Sequence, residues 1–420
     1  MTRLRWGGLE VMLERAVFGA REFEILEPAL DAPPPIDLVH QARSLAADIP
    51  LHAHESILIV VPDRTRAFPL STVLPALVGA LVGRGASPER VRAIIASGTH
   101  VATGADVAPA QLGTLPKAVR VLRHDPDGPS VRCGVTPAGT PVDVAPALLE
   151  ATRVLALGGT AFHYFAGFGG GGKMLFPGLG TRAAVAANHR LALGPLPPGG
   201  LAPGVEPGRT RGNPLAEDLR AVHAFLPEAR HLTAWPTPGG WAGARWSSAD
   251  EFDALCAHYA QGRRVGTRHR YDVVIASCGG SPRDLDVVQA HKALFHAALF
   301  ARDGAELLLL AACDEGMGSP ALERWLARSD RPALEADARA AYDLNAQTAI
   351  SLTAIARRLR VTWATPRDLP ALERWGVRIA ADPVAACARA CAAAGAGARI
   401  ALVPAACDVL PRLAARLVGT

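Results

Sequence analysis

The stretch that decides the fold is residues 154–173, which read VLALGGTAFHYFAGFGGGGK. It begins with a short apolar run, 154–157, of the length and composition typical of a buried β-strand. The segment after this run carries His163, several glycines and Lys173. In parallel α/β sheets, ligands bind beyond the carboxyl ends of the strands. The stretch therefore predicts a parallel sheet with a ligand site at its edge.

The glycine run matches a nucleotide-binding P-loop only in part. Gly167, Gly172 and Lys173 fit the spacing G-x-x-x-x-G-K. Met174, however, stands where a P-loop has the serine or threonine that holds magnesium, and Pro177 would interrupt the helix that follows. Consecutive glycines still suit a nest of backbone N–H groups around a phosphate or carboxylate. The run therefore indicates an anion site rather than an NTPase, and a solvated turn is the simpler alternative.

Similar apolar runs recur along the chain and alternate with longer helical patterns. Continuous apolar strands separated by helices are typical of parallel sheets covered on both faces. The predicted strands are 57–61, 91–96, 119–122, 154–157, 273–276, 307–311, 361–364 and 400–403. The basic stretch 262–270 lacks apolar periodicity and predicts the domain boundary. We expect an α/β protein of two domains, 1–265 and 271–420, each with a mostly parallel sheet flanked by helices.

Composition excludes several classes of function. The chain has 420 residues, half of them hydrophobic, which is enough for two or three domains with sizeable cores. The net charge of +5 is not gathered into a basic block with aromatic residues, so nucleic-acid binding is not indicated. The sequence has neither a signal-peptide pattern nor an apolar run of about 18 residues that would span a membrane. Seven cysteines without a CxxC pair favour a reducing, cytoplasmic compartment.

Polar side chains follow three predicted strands of the first domain. Asp63 and Arg66 come after the strand 57–61, and His100 comes after the strand 91–96. His163 and Lys173 follow the third strand. Because the carboxyl ends of parallel strands share one edge of the sheet, these side chains are expected to converge there.

The second domain contributes a helix with polar residues on one face. Gln289 and Lys292 are three residues apart and therefore neighbours on a helix surface. Ser281 and Asp284 have the spacing of a capping box, which predicts that the helix begins there. Strand ends of two domains that face each other would form a cleft, so we expect the active site between the domains.

These residue types suit a reaction that handles protons on both faces of a substrate. His100 and His163 lie on separate loops, as racemisation or epimerisation would require. Arg66 and Lys292 would hold a carboxylate. His189, in a predicted helix at 184–193, is a candidate metal ligand without a second His or Cys at a short helical interval, so further ligands must come from elsewhere or from a cofactor. Taken singly, each residue also fits an ordinary structural role.

Four motifs together resemble the nickel-dependent lactate racemase family. They are PDRTR at 62–66, GTH at 98–100, FHYFAGFGGGGK at 162–173 with PG and NH after it, and CGGSPRDLDVVQAHK at 278–292. The resemblance covers nearly the whole chain. In that family a lysine is joined through a thioamide to a nickel-pincer nucleotide derived from nicotinic acid mononucleotide, and a downstream histidine completes the nickel coordination. By position, the resemblance makes Lys173 the attachment point and His189 the nickel (Ni) ligand.

The resemblance also implies the remaining roles. His100 and His163 would be the acid/base pair, and Asp63 with Gly169, Gly170, Gly171 and Gly172 would contact the cofactor. Arg66, Gln289 and Lys292 would bind the substrate. The implied reaction is racemisation or epimerisation of a 2-hydroxy acid or sugar acid by reversible hydride transfer. The implied partners are this small molecule and, transiently, the cofactor-synthesis enzymes, and a homodimer is permitted.

Two other interpretations and one departure accompany this hypothesis. A metal-dependent hydrolase or lyase with a phosphate-containing ligand would use an ordinary metal at His189. A non-catalytic phospholigand-binding protein would need only the glycine run. Val288 stands where a tyrosine is common in the family, which favours a larger or more apolar substrate than lactate.

Overall fold

The computed structural model describes residues 2–19, 21–28, 35–52, 54–100, 109–194, 200–237, 239–267 and 269–413. The strands in chain order are β1 (Thr2–Trp6), β2 (Leu9–Leu13), β3 (Phe23–Ile25), β4 (Ile57–Pro62), β5 (Val91–Ala96), β6 (Arg120–Arg123), β7 (Val131–Val135), β8 (Pro141–Val144), β9 (Arg153–Gly159), β10 (Phe162–His163), β11 (Gly167–Phe168), β12 (Ala229–Thr237), β13 (Gly240–Trp246), β14 (Arg264–Thr267), β15 (Tyr271–Ser277), β16 (Ala301–Leu310), β17 (Arg360–Ala364), β18 (Arg378–Ala380), β19 (Ile400–Val403) and β20 (Leu410–Leu413).

The helices in chain order are α1 (Leu38–Ala47), α2 (Leu70–Gly83), α3 (Pro109–Leu112), α4 (Pro146–Glu150), α5 (Arg182–Arg190), α6 (Pro214–His223), α7 (Ala249–Ala260), α8 (Val287–Ala298), α9 (Pro320–Leu326), α10 (Arg331–Ala340), α11 (Ala346–Arg358), α12 (Pro370–Glu373) and α13 (Pro383–Ala393). Short 3₁₀ turns add Arg15–Phe18, Pro88–Arg90, Gly171–Met174 and Ala406–Asp408. Among the described residues, no helix has the length and apolar character needed to cross a membrane.

The first domain is built on a six-stranded sheet in the order β13-β12-β9-β4-β5-β6. Its neighbouring strands are parallel except for the β12–β13 hairpin at one edge. Helices α1 and α2 cover one face, where their leucines and valines pack on the isoleucines and valines of β4 and β5. Helices α4, α5 and α6 cover the other face. The central strand β4 is buried along its whole length, which explains its uninterrupted apolar sequence.

The second domain has a six-stranded parallel sheet in the order β18-β17-β16-β15-β19-β3. Helices α8, α9 and α11 pack on one face, and α13 with the β1–β2 hairpin packs on the other. The predicted fold class is therefore confirmed, with two α/β domains that each contain a mostly parallel sheet flanked by helices. Every predicted strand is present, although β16 begins six residues before the predicted start.

The N-terminal segment belongs to the second domain. β3 pairs with β19, and Leu4, Leu13 and Phe18 lie in the core beside β15 and β16. These first residues, which lie in the predicted range 1–265, thus pack with the second sheet, and a three-residue strand carries no local signal of which sheet it joins. The predicted boundary stretch 262–270 contains β14, which pairs with β20.

The start of α8 also differs from the prediction. Asp286, rather than Ser281, is the N-cap, and its carboxylate accepts a hydrogen bond from Gln289 N. Asp284 accepts hydrogen bonds from Gly7 N at 2.6 Å and Ala312 N at 3.3 Å, so its carboxylate holds the β1–β2 hairpin instead of a helix end.

Candidate active site

A cavity of about 420 Å³ lies where the ends of β4, β5 and β9 meet α8 and the start of α11. The predicted residues that line it are Asp63, Arg66, His100, His163, Gly169, Gly170, Lys173, His189, Gln289 and Lys292. At its edge, Arg64 of the first domain forms a two-pronged ion pair with Glu315 of the second, at 2.5 and 2.6 Å. The structure therefore brings the polar strand ends and the α8 face together.

Asp63 orients His100. The Asp63 carboxylate accepts hydrogen bonds from Thr65 N and Thr65 Oγ1 and lies 2.5 Å from His100 Nδ1. Burial alone would raise the pKa of Asp63, but the charge and hydrogen bond of His100, with the charge of Arg66, hold it well below its usual range. A carboxylate at Nδ1 fixes the proton there and leaves Nε2 as the acceptor. His100 is thus arranged to take up a proton at Nε2.

His163 lies on the β10–β11 hairpin, whose first strand follows β9 closely. It is 7% exposed, and its Nδ1 accepts a long hydrogen bond from Ala166 N at 3.4 Å. Burial, followed by the positive charges of Lys173, Lys292 and Arg66, lowers the pKa of His163 well below its usual value. His163 is therefore a neutral imidazole inside the cavity.

The residues on either side of His163 contact the second domain. The Phe162 ring packs against Tyr259 and His296. The Tyr164 hydroxyl is hydrogen-bonded to Thr348 Oγ1 at 2.8 Å, and both side chains are buried. The position of His163 therefore depends on contacts that its two neighbours, Phe162 and Tyr164, make with the second domain.

Lys173 lies in the 3₁₀ turn Gly171–Met174, with its Nζ 5.8 Å from the centre of the Phe165 ring. Burial, then the charges of Arg66 and Lys292, lower the pKa of Lys173 well below its ordinary value. A larger fraction of this amine is therefore unprotonated, which is the nucleophilic form.

The glycine run has a packing role that the sequence did not reveal. A Cβ on Gly171 would lie 2.3 Å from the Phe252 ring, and one on Gly172 would lie 2.1 Å from the His223 ring. Gly170 has a φ of +72°, and a Cβ there would lie 1.8 Å from Gly159 O. Gly169 and Gly170 line the cavity, whereas Gly171 and Gly172 face these rings on the opposite side. Two of the four predicted cofactor contacts are therefore explained by close packing.

His189, in the last turn of α5, is held by a chain of buried polar groups. Its Nδ1 lies 3.3 Å from Asn188 Oδ1, and Asn188 Nδ2 donates to Asp218 Oδ2 at 2.8 Å. Asp218 also accepts hydrogen bonds from the hydroxyls of Thr136 and Thr140. With the proton on Nδ1, His189 Nε2 keeps its lone pair. Burial, then the charges of Lys173 and His100, lower the pKa of His189 to about 3, so the ring is neutral.

A neutral, oriented imidazole is what metal coordination requires. Over the part of the chain that the structure describes, no group of three or more His, Cys, Asp or Glu side chains is arranged to hold a metal ion. His189 is thus a single oriented nitrogen donor that could complete the coordination of a metal.

α8 supplies Gln289, Lys292 and one residue that the sequence did not single out. Lys292 Nζ donates to Gln289 Oε1 at 2.6 Å. Burial, then the charge of Arg66, lowers the pKa of Lys292 to about 7. The N-cap Asp286 is 7% exposed and also lines the cavity, and burial raises its pKa. The signal for Asp286 in the sequence is its position three residues before Gln289, which is the spacing of an N-cap and the residue whose N–H it binds.

Two family models match this chain. The one described as the lactate racemase N-terminal domain covers residues 21–196, and the one described as the lactate racemase C-terminal domain covers residues 267–410. The chain belongs to the lactate racemase family.

Similar proteins include two curated lactate racemases. The one from Thermoanaerobacterium thermosaccharolyticum is 26% identical over 66% of this chain and 65% of its own length, so the match spans just under two thirds of that relative. The one from Lactiplantibacillus plantarum is 23% identical over 74% of this chain and 71% of its own length.

Solved structures show the same fold. The lactate racemase apoprotein from T. thermosaccharolyticum superposes with a TM-score of 0.78 at 20% identity, covering 98% of this chain and 99% of that one. A protein from Thermotoga maritima superposes with a TM-score of 0.68 at 16% identity, covering 91% of this chain and 99% of that one. The two-domain architecture is therefore that of the lactate racemase family.

Proposed function

We propose that this protein is a cytoplasmic racemase or epimerase of a 2-hydroxy acid that works with a nickel-pincer nucleotide tethered to Lys173. The observation that carries the proposal is that Lys173, His189, His100 and His163 all line one cavity. Family membership supports the reaction class. The orientation of His189 supports the metal, since its free Nε2 is suited to complete a nickel coordination that the nucleotide largely supplies.

In this proposal Lys173 and His189 hold the group from two sides, and Asp63, Gly169 and Gly170 lie beside it. When bound, the group would supply an electrophilic ring for the reversible transfer of the hydrogen on C2 of the substrate. The depressed pKa of Lys173 favours its attachment, because an unprotonated amine is needed for bond formation.

The protein's own side chains would bind the acid and move the proton. Arg66 and Lys292 hold the substrate carboxylate, and Gln289 fixes the Lys292 ammonium. His100 accepts the hydroxyl proton at Nε2 while Asp63 stabilises the imidazolium that forms. His163, a neutral imidazole on a separate loop, would accept the hydroxyl proton of the opposite enantiomer, and whichever histidine is protonated would return a proton to the product oxygen.

One residue in the wall of the active-site cavity, Val288, indicates the size of the substrate side chain. Val288 lines the cavity and offers apolar surface at the position where the family resemblance implies a tyrosine. We therefore propose a 2-hydroxy acid with a larger or more apolar side chain than lactate as the preferred substrate.

The test is intact-protein mass spectrometry after co-expression with the cofactor-synthesis enzymes. The expected result is a covalent adduct on Lys173 with stoichiometric nickel, and loss of optical rotation from one enantiomer of a 2-hydroxy acid. Lys173→Arg, which keeps the positive charge, should lack both adduct and activity. An unmodified Lys173 in protein that racemises its substrate would overturn the proposal.

A further inference from the structure

A second cavity of about 490 Å³, here called the rear cavity, lies inside the first domain behind the turn that carries Lys173. It is enclosed by α6, the start of α7, the start of β12 and the end of β13. Gly170 and Lys173 line both cavities, so one turn of chain separates them. A molecule in the rear cavity would therefore touch the reverse side of the Lys173 turn.

The walls of the rear cavity are largely aromatic and aliphatic. The His231 and Trp246 rings are stacked with centroids 3.7 Å apart, and Phe252 lies 4.8 Å from Trp246. Phe168, Leu219 and Leu226 complete the apolar lining. Such walls favour a flat, ring-shaped ligand, because aromatic faces give large contact areas to planar groups.

His231 adds a specific polar requirement. It is only 4% exposed, and neither of its ring nitrogens has a hydrogen-bond partner among the described residues. Burial lowers the pKa of His231 to about 3, so the ring is neutral and offers one donor and one acceptor. Neither nitrogen is fully shut off from solvent, so a ligand edge with a complementary donor and acceptor can replace water at both.

The charged side chains at the mouth do not select an ionic ligand. Arg220 forms ion pairs with Asp253 and Asp250, and Glu217 accepts a hydrogen bond from Gly212 N. Arg211 and Glu228, which also line the mouth, carry opposite charges. The formal charges of these side chains are close to balanced.

We propose that the rear cavity binds a neutral, planar nitrogen heterocycle of nucleobase size, whose donor–acceptor edge pairs with His231 and whose ring packs against the reverse of the Lys173 turn. This site is separate from the proposed racemase site and does not depend on it. Occupancy holds Gly170 and Gly172 against movement and thereby stiffens the turn that presents Lys173.

The test measures binding of adenine, uracil and nicotinamide to the full-length protein by saturation-transfer NMR, with inorganic phosphate and benzoate as charged comparisons. At least one heterocycle is expected to bind at roughly millimolar concentration or below, with weaker or no binding of the two anions. Hydrogen exchange then locates the ligand, with slower exchange expected in 169–175 and at the start of β12.

Matched variants test whether the ligand binds in the rear cavity rather than elsewhere on the protein. His231→Phe keeps a ring to stack on Trp246 but removes both nitrogens, and it should weaken binding about tenfold or more. Ala216→Leu fills the rear cavity and should abolish binding, whereas Ala221→Leu on the same helix, outside the lining, should not. Lys173→Ala should keep binding, which distinguishes the rear cavity from the cofactor site.

Two results would overturn the proposal. One is that none of the three heterocycles binds at millimolar concentration. The other is that binding persists unchanged in a folded His231→Phe or Ala216→Leu protein. Neither result bears on the adduct at Lys173, so the two proposals fail independently.

Discussion

Lys292 is the residue whose charge state is most open to control by pH. Its pKa lies near 7 in the folded protein, below its ordinary value of 10.5, because burial and then the nearby Arg66 charge disfavour the ammonium form. Between these two values the unfolded chain binds more protons than the folded one. The resulting cost to stability is complete below pH 7 and disappears as the pH rises toward 10.5.

We expect the KM of the loaded enzyme for its hydroxy acid to rise between about pH 6 and pH 9, because the Lys292 charge that attracts the carboxylate is lost. Lys292→Arg keeps its charge throughout this range and should show a nearly flat KM. The measurement is KM against pH for both proteins. A wild-type KM that falls with rising pH would contradict the assignment.

Asn188 is expected to act through His189. Asn188→Ala removes the acceptor at His189 Nδ1 and should lower nickel retention about 10- to 100-fold, since partners of this kind orient metal-bound histidines. Nickel is measured in co-expressed protein after dialysis against a weak chelator, with His189→Ala as the reference for a lost ligand. Thermal unfolding shows whether the variant is folded. Full nickel retention in Asn188→Ala would mean that the hydrogen bond has no orienting role.

At the scale of elements, the glycine turn is held by rings from two later helices. Gly172→Ala should lower the free energy of unfolding by about 1–3 kcal/mol, because its Cβ would overlap the His223 ring. Gly169→Ala is the matched control within the same run, since its Cβ would meet nothing closer than 3.7 Å. Thermal or urea unfolding checks the difference. Equal stability of the two variants would remove the packing explanation.

The strands were predictable because buried parallel strands are apolar on both faces, which marks β4, β9 and β15 in the sequence. Ligands lie at the carboxyl ends of such strands, and this rule predicts that Asp63, His100 and His163 share one edge of the sheet. All three line the same cavity. The helix start at Ser281 was wrong because Asp284 is bonded to Gly7, a partner 277 residues away. Local sequence patterns do not contain contacts of that range.

The same limit explains the glycines. The His223 and Phe252 rings that exclude side chains from Gly172 and Gly171 come from α6 and α7, far along the chain. From the sequence, the run therefore indicates an anion site or a solvated turn, and neither interpretation includes close packing. A turn under close packing and a turn beside a ligand favour the same residue, since both need backbone without a Cβ.

At the scale of the molecule, β20 joins the C-terminal end of the described chain to the domain boundary. It pairs with β14, and Leu410 packs with Phe162 and Tyr259. A chain ending after Asp408 keeps the Asp408–Arg283 ion pair but loses this strand. We expect it to unfold several degrees lower than a chain ending after Leu413, because a buried leucine typically contributes about 2–5 kcal/mol.

Trypsin cleavage within 262–270 should also be faster in the shorter chain, since β14 would have lost its partner. Calorimetry and timed proteolysis of the two chains check both expectations. Unchanged melting and cleavage would show that the pairing of β14 with β20 does not hold the boundary together.

Because β3 lies in the second sheet, the chain crosses from the second domain to the first between β3 and α1 and returns between α7 and β15. A body attached at two points swings most easily about the line that joins them and resists twisting or sliding. A rotation of one domain against the other that leaves both connections in place would therefore turn about the line that joins them. Substrate would then enter from the side opposite that axis.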